Sequence, residues 1–75
     1  MDIQVKCYAT LAPYQPENAD HFPITPGDSV LSLLKRLELD KTEVKVVFVN
    51  GKHAAEEQEL TQGDRVAVFP AVGGG

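Results

Sequence analysis

Seventy-five residues suffice for one small domain and leave little room for a deep pocket beside its core, which favours a module acting with partners over a self-contained enzyme. A hydrophobic content of 43% argues against wholesale disorder, and a net charge of −4 with no basic stripe argues against nucleic acid and favours a partner with a basic surface. One cysteine cannot close an internal disulfide, no apolar run is long enough for a membrane helix, and Met1-Asp2-Ile3-Gln4 lacks the basic region of a signal peptide, so the expected location is the cytoplasm, with no membrane partner.

Residues 2–10 alternate. Ile3, Val5, Cys7 and Ala9 fall on one side, and Asp2, Gln4, Lys6, Tyr8 and Thr10 on the other, as in a half-buried strand. Leu11 to Asp20 contains Pro13, Pro16 and Asn18 and reads as a loop. His21 to Thr25 reads as a short second strand, paired with the first as a hairpin with a long connection. Pro26-Gly27 signals a turn, after which Asp28 or Ser29 offers an oxygen to cap a helix. Val30, Leu33, Leu34 and Leu37 then recur at helical spacing and share one face. Leu31 sits at the boundary of that face, and Lys35, Arg36 and Glu38 lie off it. The helix is expected to end near Leu39, with 40–42 as its exit.

The β-branched run Val44 to Val49 predicts a third strand, and Asn50-Gly51 is the strongest hairpin signal in the chain. Lys52 to Ala55 reads as a short fourth strand, Glu56 to Glu59 as a polar surface segment, and Gln62-Gly63-Asp64 as a second tight turn. Arg65 to Phe69 reads as the last strand, with Pro70 stopping it. The order strand, strand, helix, strand, short strand, strand suits an α+β fold of the β-grasp type. Its mixed sheet of four to five strands is covered on one face by one main helix, and its first and last strands lie side by side at the centre. Residues 1–70 would form the domain and 71–75 a flexible tail.

Gly73, Gly74 and Gly75 close the sequence. Without side chains they can pass down a channel too narrow for a Cβ. An α-carboxyl on Gly75 would be a carboxylate at neutral pH, able to attack the α-phosphate of ATP and form an acyl-adenylate that a sulfur donor or an amine then opens. No phosphate-binding glycine motif occurs in the chain, so activation falls to another protein. The alternative is a frayed terminus without chemistry.

The stretch Val49-Asn50, followed after a spacer by Leu60-Thr61-Gln62-Gly63-Asp64-Arg65-Val66-Ala67-Val68-Phe69-Pro70-Ala71-Val72-Gly73-Gly74-Gly75, resembles the MoaD/ThiS family of sulfur carriers. The resemblance is dense over the last third and rests elsewhere on length and element order. The Phe69-Pro70-Ala71-Val72 ending is more similar to the small subunit of molybdopterin synthase than to the thiamine-pathway carrier. Gly73 stands where the family commonly has alanine. The resemblance implies a ubiquitin-like fold, no bound cofactor, and a carrier that is not catalytic alone. It implies adenylation of Gly75 by an activating enzyme of the MoeB/ThiF type, thiocarboxylate formation from a sulfur donor, and insertion of the tail into a MoaE-like large subunit, where the sulfur builds the dithiolene of molybdopterin. Carriers for thiamine, a tungsten cofactor, cysteine or tRNA thiolation share this pattern, and a protein modifier or a plain interaction module stays open beside them.

On this reading Gly75 carries the sulfur, Gly73 and Gly74 thread the channel, and Phe48, Ala67, Phe69, Pro70 and Val72 meet the partner. Strand alternation leaves open whether Phe48 or Val47 and Val49 face outward, because the third strand is nearly all apolar; likeness to ubiquitin-like sheets favours Phe48. Cys7 on an apolar strand side reads as an inert core thiol. His21 and His53 are far apart with no cysteine or HxxxH partner, so no metal site is expected. Ser29 and Ser32 read as cap and surface, and Glu56, Glu57 and Glu59 as a solvated face.

Overall fold

The structure, a computed structural model, describes residues 1–71. Strands β1 (Asp2–Cys7), β2 (Phe22–Pro23), β3 (Val44–Val49), β4 (Lys52–His53) and β5 (Arg65–Pro70) form a single sheet in the order β2-β1-β5-β3-β4, with helix α1 (Val30–Arg36) between β2 and β3. β1 and β5 run parallel, and the other neighbours pair antiparallel. This is the expected β-grasp, with β1 and β5 side by side in its middle.

Ile3, Val5 and Cys7 of β1, Val66 and Val68 of β5, and Val47 and Val49 of β3 all point to one sheet face. Val30, Leu33, Leu34 and Leu37 of α1 face them in the same core cluster. Leu60, from the loop before β5, is only 2% exposed and joins the cluster.

Every N–H in the first turn of α1, normally an orphan, has an acceptor. Ser29 is the N-cap and forms a reciprocal capping box with Ser32. The Ser32 N–H donates to Ser29 Oγ (3.3 Å), and the Ser29 N–H donates to Ser32 Oγ (2.7 Å). The Leu33 N–H takes the Ser29 carbonyl, while Val30 and Leu31 donate to the carbonyls of Gln58 and Glu56. The polar segment 56–59 thus closes the helix start through its backbone, and half-buried Ser32 is part of the cap instead of plain surface. Asp28 serves the preceding turn: its carboxylate accepts from the Thr25 N–H (2.9 Å) and from Ser32 Oγ (3.1 Å).

Five elements before β5 differ in extent or content from the sequence expectation. β1 ends at Cys7, because Ala9 takes φ 53° and turns the chain away; Ala9 is exposed, not on the buried side. The expected loop 11–20 contains two 3-10 turns, Ala9–Tyr14 and Ala19–His21, that bury Leu11 and Ala19. The second and fourth strands are two residues each, shorter than 21–25 and 52–55. Helix α1 ends at Arg36, where a Schellman motif closes it: the Leu39 N–H donates to the Leu34 carbonyl and the Glu38 N–H to that of Lys35, with Glu38 at φ 61°. That reversal buries Leu39 without extending the helix to it.

Pro70 is the last residue of β5, so the strand stops there, one residue past the expected end at Phe69. The Ala71 N–H donates to the Glu43 carbonyl on the β3 side. Alternation then puts the missing N–H of Pro70 on the β1 side, which β1 has already left, so no ladder bond is lost.

The motif residues Asn50, Gly51 and Asp64 form one clamp. Asn50 (φ 53°) and Gly51 (φ 82°) make the hairpin turn with two positive φ angles that joins β3 to β4. The Asn50 amide nitrogen donates to Asp64 Oδ1 (2.9 Å), and its Oδ1 accepts from the Arg65 N–H (3.0 Å). Asp64 is the buried polar residue of the described chain, at 8% exposure, and also accepts from the Thr61 N–H (2.9 Å) and hydroxyl (3.2 Å). Removing this carboxylate strands three donors. Asp64→Ala is expected to lower stability by about 2 kcal/mol, read as a fall in the urea midpoint at neutral pH.

The hydrogen bond from the Thr25 N–H, followed by those from Ser32 and Thr25 hydroxyls and the Arg36 charge, holds the Asp28 carboxyl below its ordinary value against a smaller opposing effect of burial. A depressed folded value means that the unfolded chain protonates first as pH falls. The contribution of Asp28 is therefore whole above about pH 4, the ordinary carboxylate value, and is lost as pH drops through the folded value. Asp28→Asn is expected to flatten the acid side of the stability curve, measured by urea midpoints at a series of pH values below about 5.

Candidate functional site

Among the described residues no α-helix or strand covers the sheet face opposite α1, and strand parity decides what that face displays. In β3, Val47 and Val49 are buried against the helix, so Phe48 points outward, as the likeness to ubiquitin-like sheets suggested. The β3–β5 register pairs Phe48 with Ala67 and Val46 with Phe69, while the parallel β1–β5 register pairs Lys6 with Ala67. One rung across the face is therefore His53, Phe48, Ala67, Lys6, and the next, nearer the chain end, is Val46, Phe69, Tyr8.

Four rings line these rungs. The Tyr8 and Phe69 rings stack with centroids 4.5 Å apart and 4° between planes. Phe48 meets Phe69 edge-on at 5.6 Å and His53 edge-on at 5.9 Å. Such pairs fix ring positions beyond what burial alone would do. Phe48, Ala67 and Phe69 are each half-buried, so the row presents apolar surface while staying ordered by its neighbours. Around Ala67 the face dips into an open depression of ≈ 520 Å³, walled by Phe48, Phe69, Tyr8, Lys6 and Arg65 among others.

The structure thus gathers Phe48, Ala67 and Phe69 on one surface, whereas Pro70 has the parity of the inward Val66 and Val68, pairs with Val44 and falls on the α1 side at the end of β5. Val72, Gly73, Gly74 and Gly75 lie outside the described residues. Tyr8, Lys6 and Arg65 belong to the same surface, but the sequence reading did not single them out. Alternation had placed Lys6 and Tyr8 outward; what it lacked was the β1–β5 register that sets Tyr8 beside Phe69.

The remaining candidates, His53 aside, fall away from this face or into the core. Cys7 is 4% exposed, and burial pushes its thiol up, which disfavours the reactive thiolate. The Cys7 backbone N–H is held by the Gln15 side-chain oxygen at 3.0 Å. His21 lies 3.8 Å from the Asp2 carboxylate at the β2 edge, whereas His53 packs on Phe48. Among the described residues no group of histidine, cysteine and carboxylate side chains could hold a metal ion, and no helix is long and apolar enough to cross a membrane.

No curated protein matches the chain. Two solved structures resemble it over nearly its whole length. SAMP1 from Haloferax volcanii superposes with a TM-score of 0.73 at 21% identity, covering 100% of both chains. A Pyrococcus furiosus protein provisionally assigned as molybdopterin converting factor, subunit 1, superposes with a TM-score of 0.74 at 23% identity, covering 96% of this chain and 99% of its own. At such identities the likeness establishes the β-grasp fold alone. Residues 5–75 match the model of the ThiS family, a span that takes in the end of β1, the clamp and the closing glycines, and the chain belongs to this family of small ubiquitin-like sulfur carriers.

Proposed function

We propose that this protein is the sulfur-carrying small subunit of a molybdopterin-synthase-like complex, with the Gly75 carboxylate as its working group. The observation that carries the reading is the continuity of Phe69-Pro70-Ala71-Val72-Gly73-Gly74-Gly75 with central strand β5. The family match runs through the same residues to Gly75. Likeness of fold to the Pyrococcus protein, whose description names a molybdopterin converting factor, is in keeping with it.

In this reading an activating enzyme docks on the uncovered face and takes the tail into its own site. A Gly75 carboxylate oxygen attacks the α-phosphate of ATP and pyrophosphate leaves, giving the acyl-adenylate. A sulfur nucleophile then attacks the acyl carbon; a C–S bond forms, the C–O bond to AMP breaks, and the terminus ends as a thiocarboxylate. Gly73 and Gly74 thread the narrow channels of both the activating enzyme and the large subunit, where a Cβ would clash. Phe48, Ala67, Phe69, Pro70 and Val72 dock, and the large subunit supplies the chemistry on the pterin. The chain itself contributes recognition and delivery.

Incubation with ATP, a sulfur donor and the host's activating enzyme is expected to exchange one oxygen for sulfur, seen in the intact mass. Deleting Gly75 is expected to abolish that exchange and leave the unfolding curve unchanged; continued thiolation of the shortened chain would overturn the assignment. Isopeptide-linked Gly-Gly remnants on lysines of other proteins would instead mark a modifier.

Phe69→Ala removes a central ring from the docking surface while Gly75 stays intact. It is expected to raise KM for the carrier in adenylation about tenfold with little change in kcat, as loss of uniform binding does. Equal KM values for the two forms would remove Phe69 from the interface.

A further inference from the structure

Resting on the reading of the uncovered face as a docking surface, we infer that its partner segment is an apolar side chain flanked by carboxylates, seated over Ala67 between Lys6 and Arg65. The shape comes from the register. Ala67 is the small side chain between Phe48 on β3 and Lys6 on β1, with the Phe69–Tyr8 stack on the next rung. A methyl group among larger neighbours makes a floor, and the ≈ 520 Å³ depression above it admits an aliphatic or aromatic side chain.

The charge of this surface is opposite to that of the molecule. The chain has 11 acidic residues against 7 lysines and arginines, yet two cations, Lys6 and Arg65, line the depression against one carboxylate, Asp20. Among the described residues neither Lys6 nor Arg65 lies within ion-pair distance of a carboxylate; the two ion pairs found join His21 to Asp2 and Arg36 to Asp28. The Lys6 ammonium instead stands 5.9 Å from the centre of the Tyr8 ring. Two cations beside an apolar seat complement carboxylates that flank an apolar anchor. A lysine-flanked anchor would bring like charges together on docking and be rejected. The net charge of −4 therefore describes the rest of the surface, and a basic partner, which that charge alone would favour, fits this face poorly.

The test uses the full chain, labelled with 15N, and two synthetic peptides that share a central leucine. Glutamates flank the leucine in one peptide and lysines in the other. The glutamate peptide is expected to shift the amide signals of residues 6, 48, 65, 67 and 69 in a saturable way, to bind about five- to tenfold more tightly than the lysine peptide, and to weaken as salt is added. Lys6→Glu combined with Arg65→Glu should reverse the preference, and Ala67→Leu should fill the seat and remove the glutamate peptide's shifts. The amide spectrum of each variant reports its fold directly. Equal or tighter binding of the lysine peptide by the wild-type chain, shifts confined to other surfaces, or no shifts with either peptide would overturn the inference. Neither ATP nor an enzyme takes part, so this result stands or falls separately from thiolation of Gly75.

Discussion

The parallel pairing of β1 with β5 is the contact on which the rest of the molecule depends. It joins the two ends of the described chain, from Gln4 opposite Arg65 to Cys7 opposite Val68. Parallel strands cannot be joined by a tight turn, so everything between them, α1 and the β3–β4 hairpin included, is the crossover that makes the pairing possible. The pairing sets Val5 beside Val66 and Cys7 beside Val68 on the helix side, where burial of side chains such as Val68, fully excluded from solvent, supplies the main driving force. The same register sets Lys6 beside Ala67 and Tyr8 beside Phe69 on the other side. One set of backbone hydrogen bonds thus builds the core and the proposed docking face together. A one-residue slip would exchange them.

The Asn50–Asp64 clamp protects this register. β5 enters the sheet directly after Asp64, and its first residue, Arg65, is held from two directions: its N–H by Asn50 Oδ1 and its carbonyl by the Asn50 N–H. The Gln4 N–H donates to the Asp64 carbonyl, so β1 is fastened at the same point. The hairpin tip, the turn before β5 and the start of the parallel ladder are therefore one hydrogen-bonded unit. A family motif whose parts are separated in sequence is here a single piece of structure, and its side chains are spent on holding β5. The proposed partner surface lies further along that strand.

The proposed docking face, of opposite sign to the whole molecule, would also bear on how such a small protein finds its partners. With 11 acidic and 7 basic residues the chain is repelled by acidic surfaces at long range. Lys6 and Arg65 would give the approach a preferred orientation, since the face carrying them is where the repulsion is least. Their ion pairs in a rim position would add little to affinity. The larger share would come from the ring surface of Phe48, Phe69 and Tyr8.

The sequence by itself determined the element order, the buried face of α1, the Asn50-Gly51 hairpin, the inward pair Val66 and Val68, and the tail chemistry open to Gly75. Each rests on local rules: helical spacing, period two, turn residues that tolerate positive φ, and glycine's missing Cβ. The family motif was legible for the same reason, being a run of residue types at fixed spacing. Tertiary structure decided the rest. Val44 to Val49 has no polar alternation, so only packing against α1 could turn Val47 and Val49 inward and Phe48 outward. Leu11 and Leu39 are buried by chain reversals at Ala9 and Glu38, whose positive φ angles carry no glycine to announce them. Pro70 is accommodated in β5 because β1 has turned away beside it, a fact about a neighbouring strand and not about proline. The meeting of Tyr8 with Phe69, and of Lys6 with Ala67, belongs to a register between residues some sixty positions apart. Only the long-range parallel ladder fixes that register.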